Sequence, residues 1–332
     1  MKTLKLSSRG QEVRKLQAIL KITQDGIFGP QTLRAVQNFQ RTNNLTPDGI
    51  VGPLTWRALL SKSGSRDKWS SVQSSPSVQS SPSVTPPPIP FEPYHLPQTA
   101  YFTNTMVGEH RQTQKRWIFL HHTRGWENPY RVIDGWAANA HRKVATEFVI
   151  GGQNIENTLS IHDGRILQAM PTGSHAWHLG IGNNAMHRES VGIELCSFGE
   201  LTKGHIVKTE AGKKRIVNLD RNRIYTYTGR AVQPEQVSEL SEAFRNFQYY
   251  HRYSERQITA LKELLRFIAN RDNIDIRAGL PELIRREGAK AFAKLDRQMC
   301  TNRPGIWSHT NVVSYKLDVH PQPELIQMLT EL

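Results

Sequence analysis

Four apolar runs in the last two thirds of the chain have the length and residue types of buried β-strands. They cover residues 117–120, 148–150, 166–169 and 191–195. Apolar residues at helical spacing predict helices over 130–139, after Ser254 and near Pro323, and Gln257 completes a capping box with Ser254. This alternation predicts an α/β domain whose mixed central sheet is flanked by helices. The polar, basic segment 204–232 contains β-prone runs and predicts a surface hairpin inserted into that domain.

A shorter helical pattern occupies the first 60 residues. Two groups of apolar residues each fall on one helical face: Val13, Leu16, Ile19 and Leu20, then Leu33, Val36 and Phe39. The stretch from Asp25 reads Asp-Gly-Ile-Phe-Gly-Pro and returns from Asp48 as Asp-Gly-Ile-Val-Gly-Pro. In each copy Asp-Gly favours a turn, and Gly-Pro fits the start of a helix. Residues 1–60 are therefore predicted to form a bundle of three short helices.

Composition changes between residues 61 and 93, where Ser and Pro dominate and large apolar residues are scarce. Such a segment cannot bury enough surface to offset its conformational entropy, so a disordered linker is predicted. The sequence is then divided into a small module over 1–60, a linker over 61–93 and a larger domain over 94–332.

Charge and composition exclude several classes of protein. The chain carries 43 Lys and Arg against 29 Asp and Glu, and the net charge of +14 favours an anionic partner. Nucleic acid is not expected, because the basic residues form no known motif with aromatic ones. No stretch approaches the ~20 apolar residues that span a bilayer, and the first residues lack the apolar core of a signal peptide. The two cysteines, Cys196 and Cys300, exclude a disulfide framework and a four-cysteine zinc site.

Candidate metal ligands lie at the end of the first predicted strand and near the C-terminus. Strand side chains alternate, so only one residue of the pair His121-His122 can face a shared site. One such histidine with His309 and Asp318 would complete a catalytic zinc site with one open position. In an extended segment Lys316 would share a face with Asp318. On spacing alone, a plain surface loop is the simpler interpretation of that last pair.

Glu194 interrupts the apolar run 191–195. A carboxylate in the middle of a buried strand is costly unless it is paired or belongs to a site. One interpretation is an edge strand with Glu194 exposed to solvent. The favoured one is a general base, because burial would raise the pKa of this carboxyl group toward the range that a base needs.

Together these residues resemble the zinc-dependent N-acetylmuramoyl-L-alanine amidases of the second amidase family, which includes phage amidase lysozymes and peptidoglycan recognition proteins. The matching stretches occur in family order at 118–123, 146–151, 176–180, 190–195 and 309–318. Residues 4–60, with both Asp-Gly-Ile-x-Gly-Pro copies, resemble the three-helix peptidoglycan-binding domain. The resemblance implies that His121, His309 and Asp318 hold Zn²⁺, that Glu194 is the general base and that Lys316 assists catalysis.

The resemblance also assigns neighbouring residues. His122 would face away from the metal, while Trp177 and His178 would line the groove for the sugar and lactyl group; a packed core position suits Trp177 equally well. Two departures from the family pattern are present. His320 lies where the family often has Pro-Gly-Pro, which makes it a rival third ligand, and Thr146 replaces the Tyr of amidases that lack the strand Glu.

The implied function is hydrolysis of the amide bond between N-acetylmuramic acid and L-Ala of peptidoglycan. We expect a monomer that is made in the cytoplasm without a signal peptide and acts on the cell wall, as a phage endolysin does. A bacterial autolysin or a cytosolic recycling amidase is an alternative origin, although a wall-binding module adds nothing to recycling. Other possible functions are a zinc peptidase of the peptide stem and a non-catalytic recognition protein, and the intact ligand set disfavours the latter.

Overall fold

The computed structural model divides the chain into two compact units, Met1–Pro86 and Pro87–Leu332. The structure describes residues 3–5, 8–20, 22–42, 49–52, 55–56, 58–59, 90–103, 114–155, 161–210 and 213–332. Most of the predicted linker, residues 61–89, therefore lies outside the described residues.

The first unit is helical, as predicted. Helix α1 spans Gln11–Ile19, helix α2 spans Pro30–Thr42, and residues 55–56 and 58–59 are also helical. Its core consists of buried apolar side chains from all three segments and the turns between them: Leu4, Val13, Leu16, Phe28, Val36, Val51, Trp56 and Leu59. These side chains account for the helical periodicity of the sequence.

Two buried glutamines explain the repeat in this unit. Gln17 accepts a hydrogen bond from the backbone N–H of Gly26 at 2.9 Å and donates to the carbonyl of Ile27 and to the Thr32 hydroxyl, both at 3.0 Å. Gln40 repeats all three bonds in the second copy, with Gly49, Ile50 and Thr55. Each copy is thus a turn fastened to a preceding helix by one glutamine. Sequence analysis identified the turns but missed the glutamines.

The second unit is built on a six-stranded sheet with the order β1-β4-β3-β5-β2-β13. Its strands are β1 Glu92–Pro93, β2 Trp117–His122, β3 Phe148–Ile150, β4 Ile166–Gln168, β5 Ser190–Leu195 and β13 Gly305–Ser308. All neighbouring pairs are parallel except β3 with β4. The four predicted strands and the mixed sheet are confirmed. Glu92 and Pro93, which were assigned to the linker, instead form an edge strand of this sheet.

Helices flank the sheet, as predicted. They are α3 Pro129–Ala138, α4 Asn184–Arg188, α5 Glu255–Asp272, α6 Leu280–Glu287, α7 Arg297–Asn302 and α8 Pro323–Thr330. The capping box of Ser254 and Gln257 opens α5, which buries Leu261, Leu265 and Ile268. Helices α4, α6 and α7 were not predicted. Among the described residues, no helix is long and apolar enough to cross a membrane.

The inserted β-structure is larger than the hairpin predicted over 204–232. The hairpin itself is confirmed as β7 His205–Glu210 with β8 Lys213–Asn218. A separate antiparallel sheet with the order β10-β9-β6-β12-β11 surrounds it in sequence. Its strands are β6 Glu200–Lys203, β9 Ile224–Tyr225, β10 Ala231–Val232, β11 Val237–Phe244 and β12 Phe247–His251. Strand β11 buries only Ser238, Leu240 and Phe244, and several of its other side chains are polar. This pattern obscured its strand character in the sequence.

Candidate active site

Two adjacent parallel strands bring the predicted histidines together. Strand β13 pairs with β2 so that Ser308 lies beside Leu120. The next residues are His309 and His121, which therefore emerge side by side at the carboxyl edge of the sheet. Asp318 reaches the same place from the segment that follows β13. All three side chains are buried.

One atom of each side chain points to a common centre. His121 Nδ1 lies 3.0 Å from His309 Nδ1 and 3.3 Å from Asp318 Oδ2, and His309 Nδ1 lies 2.8 Å from the same carboxylate oxygen. Among the described residues, this is the one group of three or more His, Cys, Asp and Glu side chains that could hold a metal ion. We call these three residues the triad.

The other ring nitrogen of His309 settles its tautomer. It lies 3.0 Å from the backbone carbonyl of Leu179, and a carbonyl can only accept a hydrogen bond. Nε2 therefore carries the proton and Nδ1 presents a lone pair to the triad centre. A backbone carbonyl on the outer nitrogen is a common way to orient a metal-binding histidine.

His121 is oriented by a chain of hydrogen bonds through His178. His121 Nε2 lies 3.0 Å from His178 Nδ1, and His178 Nε2 lies 2.8 Å from the Ser190 hydroxyl. That hydroxyl donates to the carbonyl of His187 at 3.4 Å, so its oxygen accepts from His178. This direction of donation assigns the proton of His121 to Nε2 and leaves Nδ1 free for the triad centre.

The surroundings of His121 and Asp318 favour the protonation states that bind a metal ion. Burial lowers the pKa of His121 to about 4, and the proximity of His309 acts in the same direction. Burial opposes ionisation of Asp318, but the adjacent imidazole rings of His121 and His309 hold the pKa of this carboxyl group well below its ordinary value. At neutral pH the triad therefore presents an uncharged His121 and a carboxylate.

Glu194 lies beside the triad on the central strand β5, between β3 and β2. The edge-strand interpretation is therefore wrong. Its Oε2 atom is buried without a hydrogen-bond partner among the described residues. Burial, with the negative charge of Asp318 as a second cause, raises the pKa of Glu194 to about 8, and the charge of Lys316 opposes that shift. Such a carboxyl group is suited to proton transfer.

A cavity of about 450 Å³ opens over the triad. Its lining contains three further residues that the sequence predicted, Glu194, Lys316 and His178. Trp177 does not line this cavity. It lines a neighbouring one of about 300 Å³ and packs edge-on against His187, with ring centroids 4.9 Å apart.

The two other histidines considered as ligands lie apart from the triad. His122 also lines the cavity, but its Nδ1 atom is 3.0 Å from the hydroxyl of Tyr253 and belongs to no metal-binding group among the described residues. His320 is fully buried and stacks against Tyr250 and Tyr253, with ring centroids 4.5 and 4.3 Å away. The structure thus places the rival third ligand among aromatic rings, while Asp318 contacts both triad histidines.

Comparison with models of protein families shows to which family this chain belongs. The family model for N-acetylmuramoyl-L-alanine amidase matches residues 111–321, more than half of the chain. The chain belongs to this family. A model for a peptidoglycan binding domain matches residues 9–59. Both resemblances inferred from the sequence are confirmed, and a comparison with curated proteins gives no match.

Solved structures resemble parts of the amidase-family chain. A peptidoglycan-binding protein from Clostridioides difficile is 36% identical over 18% of this chain and 40% of its own, with a TM-score of 0.17. A Burkholderia AP3 phage endolysin is 44% identical over 20% of this chain and 27% of its own, with a TM-score of 0.18. AmiD from E. coli, an N-acetylmuramyl-L-alanine amidase, is 19% identical over 52% of this chain and 49% of its own, with a TM-score of 0.27. This chain spans less than half the length of each of them.

Two glycines and a threonine shape the amidase site. A Cβ atom at Gly192 would lie 2.7 Å from the Thr146 methyl group and 3.1 Å from His178 Nδ1, so only glycine allows both to pack against β5. Thr146, at the position of the family Tyr, donates to the carbonyl of Phe148 at 2.9 Å. A Cβ atom at Gly199 would lie 2.7 Å from His122 Nε2.

Sequence analysis missed several residues of the triad cavity, among them Arg124, Glu200 and Tyr315. Arg124 directly follows the His-His-Thr stretch, and that proximity is the one signal that could have identified it. Glu200 belongs to the inserted sheet and Tyr315 to the loop before Lys316. Neither belongs to a motif that would distinguish it in the sequence from other residues of its type.

Proposed function

We propose that this chain hydrolyses the amide bond between N-acetylmuramic acid and L-Ala in peptidoglycan, using zinc held by His121, His309 and Asp318. One observation carries the proposal. Three metal-binding atoms converge at separations of 2.8–3.3 Å beside the buried carboxyl group of Glu194.

Zinc suits this donor set. Two imidazole nitrogens and one carboxylate oxygen are typical of catalytic zinc sites, which keep a fourth position open. Ligand atoms about 2.0–2.2 Å from a tetrahedral zinc stand about 3.3–3.6 Å apart, and the separations within the triad reach 3.3 Å. His309 Nδ1 and Asp318 Oδ2 face each other at 2.8 Å as two acceptors, and a cation between them would relieve their repulsion.

The residues around the triad have distinct roles in the proposed reaction. When bound, zinc supplies a Lewis acid that polarises the amide carbonyl and makes water more acidic. Glu194 takes the proton of the attacking water and delivers it to the leaving nitrogen of L-Ala. The Lys316 ammonium group stabilises the negative charge that develops on the carbonyl oxygen. His178 holds His121 in position, and Trp177 contacts the sugar side of the substrate.

The N-terminal module is proposed to attach the enzyme to its insoluble substrate. Residues 1–60 carry nine Lys and Arg against three Asp and Glu, which suits an anionic wall. Attachment of this module would raise the local concentration of the amidase domain at the wall. We propose a monomeric enzyme that is made in the cytoplasm and acts on the wall, in the manner of a phage endolysin.

Metal reconstitution tests the proposal. Protein stripped with a chelator should release no amino groups from purified sacculi, and one equivalent of Zn²⁺ should restore the release. His309→Ala should abolish both zinc binding and activity. Stoichiometric zinc in His309→Ala by elemental analysis, or full activity of the stripped wild type, would contradict the assignment.

A further inference from the structure

The inserted sheet contributes to the wall of the triad cavity. Glu200, the first residue of β6, lines the cavity together with Arg124. The two side chains form an ion pair between Arg124 Nη2 and Glu200 Oε1. The pair is asymmetric, because the Arg124 side chain is 54% exposed and the Glu200 side chain is 5% exposed. Both side chains line the cavity, and the guanidinium group is the more exposed of the two.

The inserted segment also holds the backbone of Arg124. The Tyr227 hydroxyl donates to the Arg124 carbonyl at 3.0 Å, and the guanidinium carbon lies 4.6 Å from the centroid of the Tyr227 ring. Arg124 has a φ of 50°, in the left-handed region that side chains other than glycine rarely adopt. Contacts from two inserted residues, Glu200 and Tyr227, therefore fix an arginine in an unfavourable backbone conformation at the cavity rim. Strained residues of this kind concentrate at ligand sites.

Both partners retain capacity for a ligand. An arginine offers five N–H donors in a planar fork, and Glu200 is the one ion-pair partner of Arg124 among the described residues. Glu200 Oε2 is buried and has no hydrogen-bond partner there. A buried carboxylate oxygen without a donor is costly. A ligand that brings one carboxylate and one N–H group would satisfy both residues.

We propose that Arg124 and Glu200 form a subsite for the acidic peptide stem, where Arg124 binds a free carboxylate and Glu200 accepts a hydrogen bond from a peptide N–H. This inference rests on the proposed amidase function, because the stem is the leaving group of that reaction. In a stem whose second residue is a γ-linked D-Glu, the α-carboxylate remains free next to L-Ala. The inserted sheet then serves to select substrates by this charge.

A pair of substrates tests the subsite without any mutation. One is N-acetylmuramic acid–L-Ala–γ-D-Glu–L-Lys, and the other is the same molecule with the α-carboxylate of D-Glu converted to an amide. Loss of a hydrogen-bonded charged group typically lowers binding about 10- to 100-fold. The zinc-loaded wild type should therefore show kcat/KM lower by that factor on the amide, mainly through KM, because the contact is remote from the scissile bond.

Variants of Arg124 link the preference to this side chain. Arg124→Met should lose the preference, because its kcat/KM on both substrates should equal that of the wild type on the amide. Arg124→Lys should keep part of the preference. Arg215→Met is the matched control, because Arg215 is an exposed residue of β8 outside the cavity lining, and it should keep the wild-type preference. Thermal unfolding midpoints identify any variant that fails to fold.

Two results would overturn the subsite: equal kcat/KM of the wild type on both substrates, or a full preference retained by folded Arg124→Met. Neither would affect the proposed function, since the amide bond would still be cleaved. Release of no L-Ala amino group from either substrate would instead overturn the proposed function and this inference with it.

Discussion

His121 and Glu194 are register partners on adjacent parallel strands. Strand β2 pairs with β5 so that His121 lies directly beside Glu194, and both side chains point to the same face of the sheet. The proposed metal ligand and the proposed base are thus fixed by backbone hydrogen bonds of a central sheet. Sites built on such elements hold their geometry better than sites on loops.

Replacement of the base should separate metal binding from catalysis. Glu194→Gln keeps the shape of the side chain but cannot accept a proton at neutral pH. We expect a folded, zinc-loaded protein whose turnover of a soluble muropeptide falls about 10²- to 10⁴-fold. Turnover and zinc content measured on the same preparation check this prediction.

Glu147, a buried carboxylic acid directly before strand β3, provides the matched control. Its carboxylate pairs with Arg271, at 2.6 Å between Oε1 and Nη1, and it does not line the triad cavity. Glu147→Gln should lower the unfolding midpoint and leave turnover of the folded protein unchanged. Near wild-type turnover in Glu194→Gln with a collapse in Glu147→Gln would reverse the two assignments.

The raised pKa of Glu194 predicts a pH-dependent cost in the metal-free protein. Burial raises this pKa from 4.5 to about 8. Between these values the folded protein holds a proton that the unfolded chain has released, so stability falls as pH rises through this window. Glu194→Gln lacks this loss. Its unfolding midpoint should therefore move above that of the wild type as pH rises from about 5 to about 8.

Thermal scans of the stripped proteins at several pH values measure that divergence. Zinc-loaded samples should show a smaller one, because a nearby cation favours the carboxylate. If the unfolding midpoints of the two metal-free proteins changed in parallel across this pH range, the pKa of Glu194 would not be raised in the folded protein.

His178 should control metal affinity through His121. His178→Ala removes the acceptor that fixes the outer nitrogen of His121, and the loss of such a partner typically weakens metal binding about 10- to 100-fold. Competition with a chromophoric chelator measures the zinc dissociation constant. His175→Ala is the control, because His175 stacks on Phe102 outside the triad cavity. Equal zinc affinity in both variants would remove His178 from the positioning role.

Removal of the N-terminal module should reduce activity on the intact cell wall but not on soluble muropeptides. A chain that begins at Pro87 should keep zinc and its turnover of soluble muropeptides, but lose rate and binding on intact sacculi. A chain that begins at Pro93 should also be less stable, because it lacks Phe91, whose ring lies 5.1 Å from Phe148 and 5.2 Å from Phe267. Equal sedimentation of full-length and Pro87 proteins with sacculi would argue against a binding role.

Elements with a strong apolar pattern could be predicted from the sequence. Strands β2 and β5 are mostly apolar, and helix α5 begins with a capping box, so each was identified near its true bounds. Strand β11 was missed because only Ser238, Leu240 and Phe244 of its eight residues are buried, and most of the others are polar. The Asp-Gly turns were visible, but the glutamines that fasten them resemble ordinary surface residues of a helix.

Some residues of the candidate site could likewise be predicted from the sequence, and others could not. The triad residues and Glu194 stand in motifs or interrupt an apolar strand, which makes them visible in a sequence. Arg124 and Glu200 meet only because the inserted sheet folds against the loop after β2, and no local pattern encodes that contact. Likewise, the sequence could not show that His178 bonds to His121, because their separation along the chain hides the 3.0 Å contact.

Mass spectrometry of the products from purified sacculi tests the central claim most directly. After digestion by zinc-loaded protein, the account predicts free peptide stems with an unblocked L-Ala amino group and glycan strands of undiminished length. Stems cleaved at an internal peptide bond, with L-Ala still attached to N-acetylmuramic acid, would contradict the proposed amidase reaction and indicate a peptidase.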